Sequence, residues 1–135
     1  MAFTYLANPV VTINAVDCSD QCTAATLNRV TESLEATAFG ATARVYTAGL
    51  QNNEVTITFY QSYAASETYA TLAGLVGTTT TITLKPATGA TSATNPLFTI
   101  TGAYLETLPV VNATLGELST CEVTFTGGTY SVAVA

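Results

Sequence analysis

The chain has 135 residues, of which 48% are hydrophobic and only 9% are charged, and its formal net charge is -6. Three cationic side chains are too few to neutralise the phosphates that a nucleic-acid-binding protein grips, which excludes that class. Histidine is absent, which excludes histidine-dependent catalysis, and the low charge density argues against intrinsic disorder. We expect one folded domain spanning residues 1–135, because single domains most often have about 100–150 residues.

Apolar residues alternate with threonine along most of the chain, which contains 28 threonines and 21 alanines. This period of two predicts strands with one apolar face and one hydroxyl-bearing face. The clearest segments are 55–60, 81–85, 98–101, 121–126 and 130–134, and further strands are predicted over 10–14, 23–29 and 33–39. Because such alternation is typical of antiparallel sheets with one face on a core, we predict a mainly β fold, an antiparallel sandwich or barrel.

One helix of about ten residues is predicted to flank the sheets, because a helix of this length is unstable alone. Ser66 can cap its N-terminus and Gly77 can end it. Its helical spacing is carried by four residues: Tyr69, Leu72, Ala73 and Val76. The adjacent Gly127 and Gly128 predict a tight hairpin turn. The segment 40–53 has no clean period and predicts a long loop, of a kind that is often functional.

The three cysteines, Cys18, Cys22 and Cys121, do not have the spacing of a zinc site or a redox motif. We expect small, buried, reduced thiols, with one disulfide and a free thiol as the alternative. Asp17 and Asp20 offer two oxygen ligands for calcium, but calcium takes six to eight, so a turn is the preferred interpretation. We therefore expect no metal and no cofactor.

No catalytic set emerges from the remaining polar residues, and we expect that the protein is not an enzyme. Glu32 and Glu35 are three residues apart on a predicted strand, so they point to opposite faces and cannot act as a glycosidase pair. We expect Arg29 and Arg44 to pair with nearby glutamates. The sequon at Asn112 carries little weight, since the N-terminal segment lacks the charge pattern of a secretion signal. The longest uncharged run is rich in threonine and contains prolines, so no membrane span is predicted.

The single lysine, Lys85, leaves the sheet edges without the charges that normally prevent edge-to-edge pairing. A symmetric homo-oligomer that buries those edges and threonine faces would resolve this. The alternative is a monomer whose threonine hydroxyls face water.

The residues from Val16 to Phe59, VDCSDQCTAATLNRVTESLEATAFGATARVYTAGLQNNEVTITF, form an ordered set of motifs. They resemble the N-terminal part of short major tail proteins of long-tailed (siphovirus-type) phages, particularly those that infect actinobacteria. The resembling elements are the V-D-x-S-D turn, E-x-T-A-F-G-x-T-A-R, Y-x-x-G-L and the strand V-T-I-x-F. Later segments of the chain, LAGLVGT, TITLKP and SATNP, are also similar, so the resemblance covers most of the sequence.

This resemblance implies a tail-tube fold whose copies form rings, expected to be hexameric, that stack into the conduit for genome ejection. The 40–53 loop is then expected to reach a neighbouring ring. Its candidate contact residues are Arg44, Tyr46, Gly49, Leu50 and Asn52. Four carboxylates are candidates for the channel wall or for subunit contacts: Glu32, Glu35, Glu54 and Glu122.

The implied partners are further copies of the chain and the tape measure, tail terminator and distal tail proteins. DNA is expected to pass through the tube without specific binding, because a wall of hydroxyls and carboxylates offers few cationic anchors. No membrane is implied. The expected location is the virion tail, after synthesis in the bacterial cytoplasm. The alternatives are a capsid decoration protein of the same fold and an immunoglobulin-like or adhesin-like binding module.

Overall fold

The computed structural model describes residues 9–65, 67–113 and 115–134, which form a mainly β structure. In chain order the elements are β1 (Val10–Ile13), β2 (Val16–Asp17), β3 (Cys22–Asn28), β4 (Thr31–Glu35), β5 (Tyr46–Gln51), β6 (Glu54–Tyr60), α1 (Thr68–Leu72), β7 (Thr79–Lys85), β8 (Leu97–Leu105), β9 (Thr120–Thr126) and β10 (Thr129–Ala133). All strand pairs are antiparallel. This confirms the predicted antiparallel β fold with one flanking helix.

The core is built from the alternating apolar residues of the central strands. In β6, Val55, Ile57 and Phe59 are completely buried, and in β9 the same holds for Cys121, Val123 and Phe125. Buried residues of β1, β7 and β8 complete the same cluster: Val11, Ile13, Ile82, Ile100, Ala103 and Leu105. Because the strands bury every second residue, the prediction of one apolar face per strand is confirmed for these elements.

One sheet supplies both layers of the sandwich, with the strand order β2-β1-β7-β8-β9-β6-β3 and β10 also paired to β8. The inward residues of β1 and β7 share one core with those of β6 and β9. The sheet therefore folds over on itself, and β8, which pairs with β7, β9 and β10, passes through the corner.

Three glycines with positive φ form this corner: Gly102 (φ 83), Gly127 (φ 77) and Gly128 (φ 87). Thr126 pairs with Tyr104 and Thr129 pairs with Thr101, so β9 and β10 keep one register along β8. β9 and β10 therefore form one long strand that bends at Gly127 and Gly128. The predicted hairpin between β9 and β10 is wrong, because both strands pair with β8, although the expected positive φ values are present.

The helix is shorter than its spacing predicts, since α1 comprises only Thr68–Leu72 and its N-cap is Glu67, without a side-chain cap. The predicted cap Ser66 lies outside the described residues. Leu72 packs into the core, but Ala73 and Val76 are exposed, so the predicted apolar face is only partly correct. Gly77 has a positive φ of 80°, but it lies in a later turn, after the bridge residue Val76, and does not end the helix. Within the described residues, no helix has the length and apolar character that crossing a membrane requires.

The segment 40–53, predicted to be a loop, contains β5, which pairs with β4 to form a separate two-stranded sheet. The strand predicted over 33–39 is β4, which ends at Glu35, and residues 36–45 form the connection. The regular period is weak here because no core lies against either face, so neither strand needs an apolar side.

The last strand also departs from its pattern. Tyr130, Val132 and Val134 were expected to face the core, but Tyr130 is half-buried and the two valines are exposed. Tyr130 stacks on Phe98 and lies beneath Arg29, whereas the alternation at Val132 and Val134 does not indicate burial.

Candidate assembly surfaces

The hairpin formed by β4 and β5 is the most exposed part of the described chain. We define the hairpin arm as residues 30–52, in which every residue except Gly49 is exposed. Its exposed apolar side chains include Leu34, Phe39, Tyr46 and Leu50, and that of Phe39 is fully exposed. Because an isolated two-stranded hairpin is at best marginally stable in water, an arm of this composition is suited to burial against another surface.

The two faces of the arm differ in character. Tyr46 and Ala48 lie on one face of β5, but a register shift between Thr31 and Ser33 places Gly49 and Leu50 together opposite Glu32, so the alternation does not continue to Leu50. On the other face, Gly49 lies against the side chain of Glu32, and a Cβ at this position would be 3.1 Å from Glu32 Cβ. The side chains of Tyr46 and Leu50 are both exposed and therefore free for contact, whereas Gly49 is covered within the arm.

Arg44 and Glu35 form an ion pair inside the arm. The Arg44 guanidinium donates to both carboxylate oxygens of Glu35, at 3.0 and 3.1 Å. This confirms the expected pairing of Arg44 with a nearby glutamate. The pair is exposed, so it orients the turn of the arm more than it stabilises the fold. Arg29 instead lies over the ring of Tyr130, 4.6 Å from its centroid, so its predicted pairing with a glutamate is replaced by a cation–π contact.

Asn53 anchors the arm to the body of the protein and is completely buried. Its Oδ1 accepts a hydrogen bond from Val30 N at 3.0 Å, and its Nδ2 donates to Gln51 Oε1 and to Gly128 O, each at 3.1 Å. It therefore joins the base of the arm to the glycine corner. The predicted contact residue Asn52 is exposed and donates its backbone N–H to Val30 O at 2.9 Å. Sequence reasoning missed Asn53 because nothing local distinguishes the two adjacent asparagines.

A threonine face with carboxylates covers the outer side of β6 and β9. Cross-strand pairs place Thr56 beside Thr124 and Thr58 beside Glu122, and Glu54 beside Thr126. We call this surface, with Glu106 at its border, the acidic threonine face. A shallow depression of about 310 Å³ there is lined by Glu106, Thr107, Glu122, Thr124 and Thr126. No lysine or arginine belongs to these strands.

A second threonine face covers the outer side of the other layer. Cross-strand pairs connect Thr12 to Thr83, Thr83 to Thr99, Thr81 to Thr101, and Thr101 to Thr129. The one carboxylate in the strands of this surface is Asp17 of β2, which pairs with Thr12 at its edge. Lys85 at the end of β7 donates to Gly89 O at 2.6 Å. The two outer faces therefore share hydroxyl groups but differ in charge.

An apolar groove of about 290 Å³ opens between β3 and the inner side of β7 and β8. Its lining includes Ala25, Leu27, Leu84 and Phe98. Within the described sheet, β3 pairs only with β6, so its second edge is free. This edge carries no charged residue, which makes it suited to pairing with another strand.

A second exposed apolar segment lies at the end of the sheet where β6 finishes. We define the distal loop as residues 108–113 and 115–119. Its exposed side chains include Val110, Val111, Leu115 and Leu118. The carbonyl of Val110 accepts hydrogen bonds from Tyr63 Oη at 2.5 Å and from Gln61 Nε2 at 2.7 Å.

The thiols lie in and around the core. Cys18 and Cys121 are buried, Cys22 is half-buried, and all three are free. Burial raises the pKa of Cys18 to about 11, and burial also raises the pKa of Cys22 and that of Cys121. Raised pKa values disfavour the reactive thiolate, which fits a packing role. Asp17 accepts hydrogen bonds from the hydroxyl and backbone N–H of Ser19, which lower the pKa of Asp17. This is the predicted turn.

The nine candidate site residues fall into two groups. Seven belong to the hairpin arm: Arg44, Tyr46, Gly49, Leu50, Asn52, Glu32 and Glu35. Glu54 and Glu122 lie on the acidic threonine face. The arm residues are brought together, but Glu32 and Glu35 are separated from the two carboxylates of the face. Sequence reasoning did not single out the distal loop, although its run of valine and leucine was visible.

A scan against protein-family models found no match, and a search of curated proteins found no similar sequence. Solved structures are nevertheless similar. A chain in the structure of the anti-feeding prophage cap, a tube terminating cap, aligns with a TM-score of 0.70 at 12% identity over 100% of this chain and 93% of that chain. A chain in the sheath/tube terminator of an extracellular contractile injection system aligns with a TM-score of 0.70 at 12% identity, over 99% of both chains.

A chain of the virion of a native gene transfer agent aligns with a TM-score of 0.66 at 11% identity, over 98% of this chain and 100% of that chain. At such identities the similarity defines the fold. The chain therefore has the mainly β, tail-tube-like fold found in these tube-containing and tailed particles.

Proposed function

We propose that this protein is a structural subunit of a phage-like tail, whose copies assemble into rings that stack as a tube. The role requires no catalysis and no cofactor. Two findings support it: the fold is similar to chains of tube-terminating and gene-transfer-agent particles, and the surfaces favour self-association. In this role residues 1–135 act as one domain.

The exposed hairpin arm is the observation that carries this proposal. Its apolar side chains, among them Phe39 and Leu50, have no cover within the described chain. A hairpin of this kind gains stability when a neighbouring copy buries it. The free, uncharged edge of β3 offers a second contact for closing a ring.

The acidic threonine face is the wall that we assign to the channel. Glu54 and Glu122 would repel phosphates, while the threonine hydroxyls keep the wall wet. DNA would then slide through without specific binding during genome ejection. Glu32 and Glu35 belong to the arm, so their proposed place is at contacts between subunits.

The finer features of the proposal follow from the sequence resemblance. These are hexameric rings, a siphovirus-type tail of an actinobacterial phage, synthesis in the host cytoplasm, and contact with tape measure, terminator and distal tail proteins. No membrane is involved.

A tube terminator is the second candidate. Two of the similar structures contain a tube cap or a sheath/tube terminator. Such a subunit would form a single ring and would not polymerise. The capsid decoration protein and the binding module remain further alternatives, and both predict a protein that forms no tube.

Negative-stain imaging and size-exclusion chromatography of the purified protein test the proposal. We expect hollow filaments of uniform width, whereas single rings would indicate the terminator and a permanent monomer would contradict both roles. The double variant Y46S/L50S should retain its strand content by circular dichroism, because both side chains are exposed, but should form no filaments. Filaments of normal length from this variant would contradict the role of the arm.

A further inference from the structure

The distal loop presents its apolar side chains to water while its polar groups bind the body. Gln61 and Tyr63 both donate to Val110 O, Asn112 Nδ2 donates to Thr120 O at 2.8 Å, and Gln61 N donates to Ser119 O at 2.8 Å. The side chain of Val111 is 75% exposed and that of Leu115 is fully exposed. In an ordinary solvated loop the polar groups face water and the apolar side chains are covered. The opposite arrangement is typical of an interaction surface.

The position of the loop is opposite to that of the hairpin arm. The arm joins the sheet where Asn28 pairs with Glu54, at the start of β6. The distal loop joins it where Tyr60 pairs with Thr120, at the end of β6. A strand of seven residues spans about 20 Å, so the hairpin arm and the distal loop lie at opposite ends of β6.

We infer that the distal loop is the docking surface for the hairpin arm of a second copy, which packs exposed apolar side chains of the arm, among them Leu50, against Val111 and its neighbours. This inference rests on the proposed function, since it names the surface that receives the arm when subunits stack. Contact between two different surfaces at opposite ends is heterologous. Because each new copy presents the same free surface again, such a contact generates an open-ended stack.

A second copy is the occupant that fits both surfaces. The arm and the loop each expose large apolar residues, and each is left without cover at its own end of the sheet. A contact between two distal loops would bury one surface but leave every arm exposed, and it would close after two copies. Arm-to-loop contact covers both surfaces in every interior copy.

Two single variants test the inference. L50E disables the arm and leaves the loop intact, while V111E disables the loop and leaves the arm intact. Each variant, purified separately, should stop at the size of the unstacked unit, since burying an unpaired carboxylate at the contact is costly. Mixing the two should restore one type of junction, between the arm of V111E and the loop of L50E, and double the mass of the unit, measured by light scattering after size-exclusion chromatography.

T88E provides the control, because Thr88 is exposed but belongs to neither surface, and it should form filaments like the unchanged protein. If V111E forms normal filaments, the inference is wrong although the proposed function stands. Failure of the mixture to double in mass would also overturn it, and doubling of L50E alone would indicate loop-to-loop pairing instead. If the unchanged protein forms neither rings nor filaments, both proposals fail.

Discussion

Asn53 shows how much one buried polar residue can contribute. Its side chain accepts a hydrogen bond from Val30 N and donates hydrogen bonds to Gln51 Oε1 and Gly128 O. Removing it would take the side-chain partner from Val30 N and from Gly128 O, while Gln51 Oε1 would still accept from Tyr130 N at 3.2 Å. A buried polar group left without its partner costs about 1–3 kcal/mol.

We therefore expect N53A to lower the free energy of unfolding by about 2–4 kcal/mol, since more than one partner is left unsatisfied. Asn52 provides a matched control, because its side chain is exposed and only its backbone N–H is used. N52A should change the free energy by less than about 0.5 kcal/mol. Urea denaturation measures both, and equal losses would contradict the anchoring role of Asn53.

Cys18 makes stability depend on pH in the alkaline range. Burial raises the pKa of its thiol from 9.0 to about 11, so the folded chain keeps this proton to higher pH than the unfolded chain. Its contribution to stability is therefore complete below pH 9.0 and is lost as the pH rises towards 11.

The expected result is a fall in the free energy of unfolding between about pH 8 and pH 11. The variant C18A lacks this thiol and should show a smaller fall over the same range. Cys22 and Cys121 still contribute in the same direction, because burial raises the pKa of each. Identical falls in both proteins, measured by urea denaturation, would show that Cys18 does not titrate as its burial implies.

At the scale of elements, the glycine corner turns one sheet into two layers. In β8, Gly102 is the extra residue of a bulge, since Thr80 pairs with Ala103 while Thr81 pairs with Thr101. Bulges of this kind bend a strand and increase its twist. Opposite the bulge, Gly127 and Gly128 bend the partner strand, so both strands turn at the same place.

Alanine substitutions at Gly127 and Gly128 separate the cost of a positive φ from the cost of a steric clash. A Cβ on Gly128 would be 2.8 Å from both Ile100 Cγ2 and Thr101 O, whereas one on Gly127 would meet nothing within 4 Å. G127A should therefore cost only the strain of a positive φ, about 1–2 kcal/mol. G128A adds a clash with backbone and core, and should cost about 1–3 kcal/mol more. Thermal or urea unfolding compares the two, and equal costs would exclude the clash.

At the scale of the whole molecule, charge is divided between the two outer faces. The acidic threonine face carries Glu54 and Glu122 without a cation in its strands, whereas the second face carries one carboxylate, Asp17, and one cation, Lys85. If the acidic face lines the channel, changing the sign of its charge should convert a passive wall into one that holds DNA.

The variant E54K/E122K should form filaments that retain double-stranded DNA, with retention that decreases steeply as salt is raised. The control D20K/E67K makes the same change in net charge away from this face and should not retain DNA in the channel. Nuclease protection of DNA inside the filaments measures the difference. Equal protection in both variants would assign the channel to another surface.

Local sequence is sufficient to identify the strands that bury an apolar side and to show the scarcity of cations. The alternation around Ile57 and Val123 predicts burial because a strand places every second residue on the same side. Composition likewise predicts surfaces rich in hydroxyl groups. These are local properties, which neighbouring residues along the chain are sufficient to specify.

Which segments of the chain meet depends on how the whole chain folds. Pairing between strands places Asn53 beside Gly128. It also makes part of the segment 40–53, predicted to be a loop, the second strand of the hairpin arm. Likewise, Gly127 and Gly128 are compatible with a hairpin turn or with a bent strand, and the pairing of β10 with β8 selects the bend. Pairing between distant strands leaves little trace in local periodicity, so the arm, its anchor and the distal loop emerged only from the folded chain.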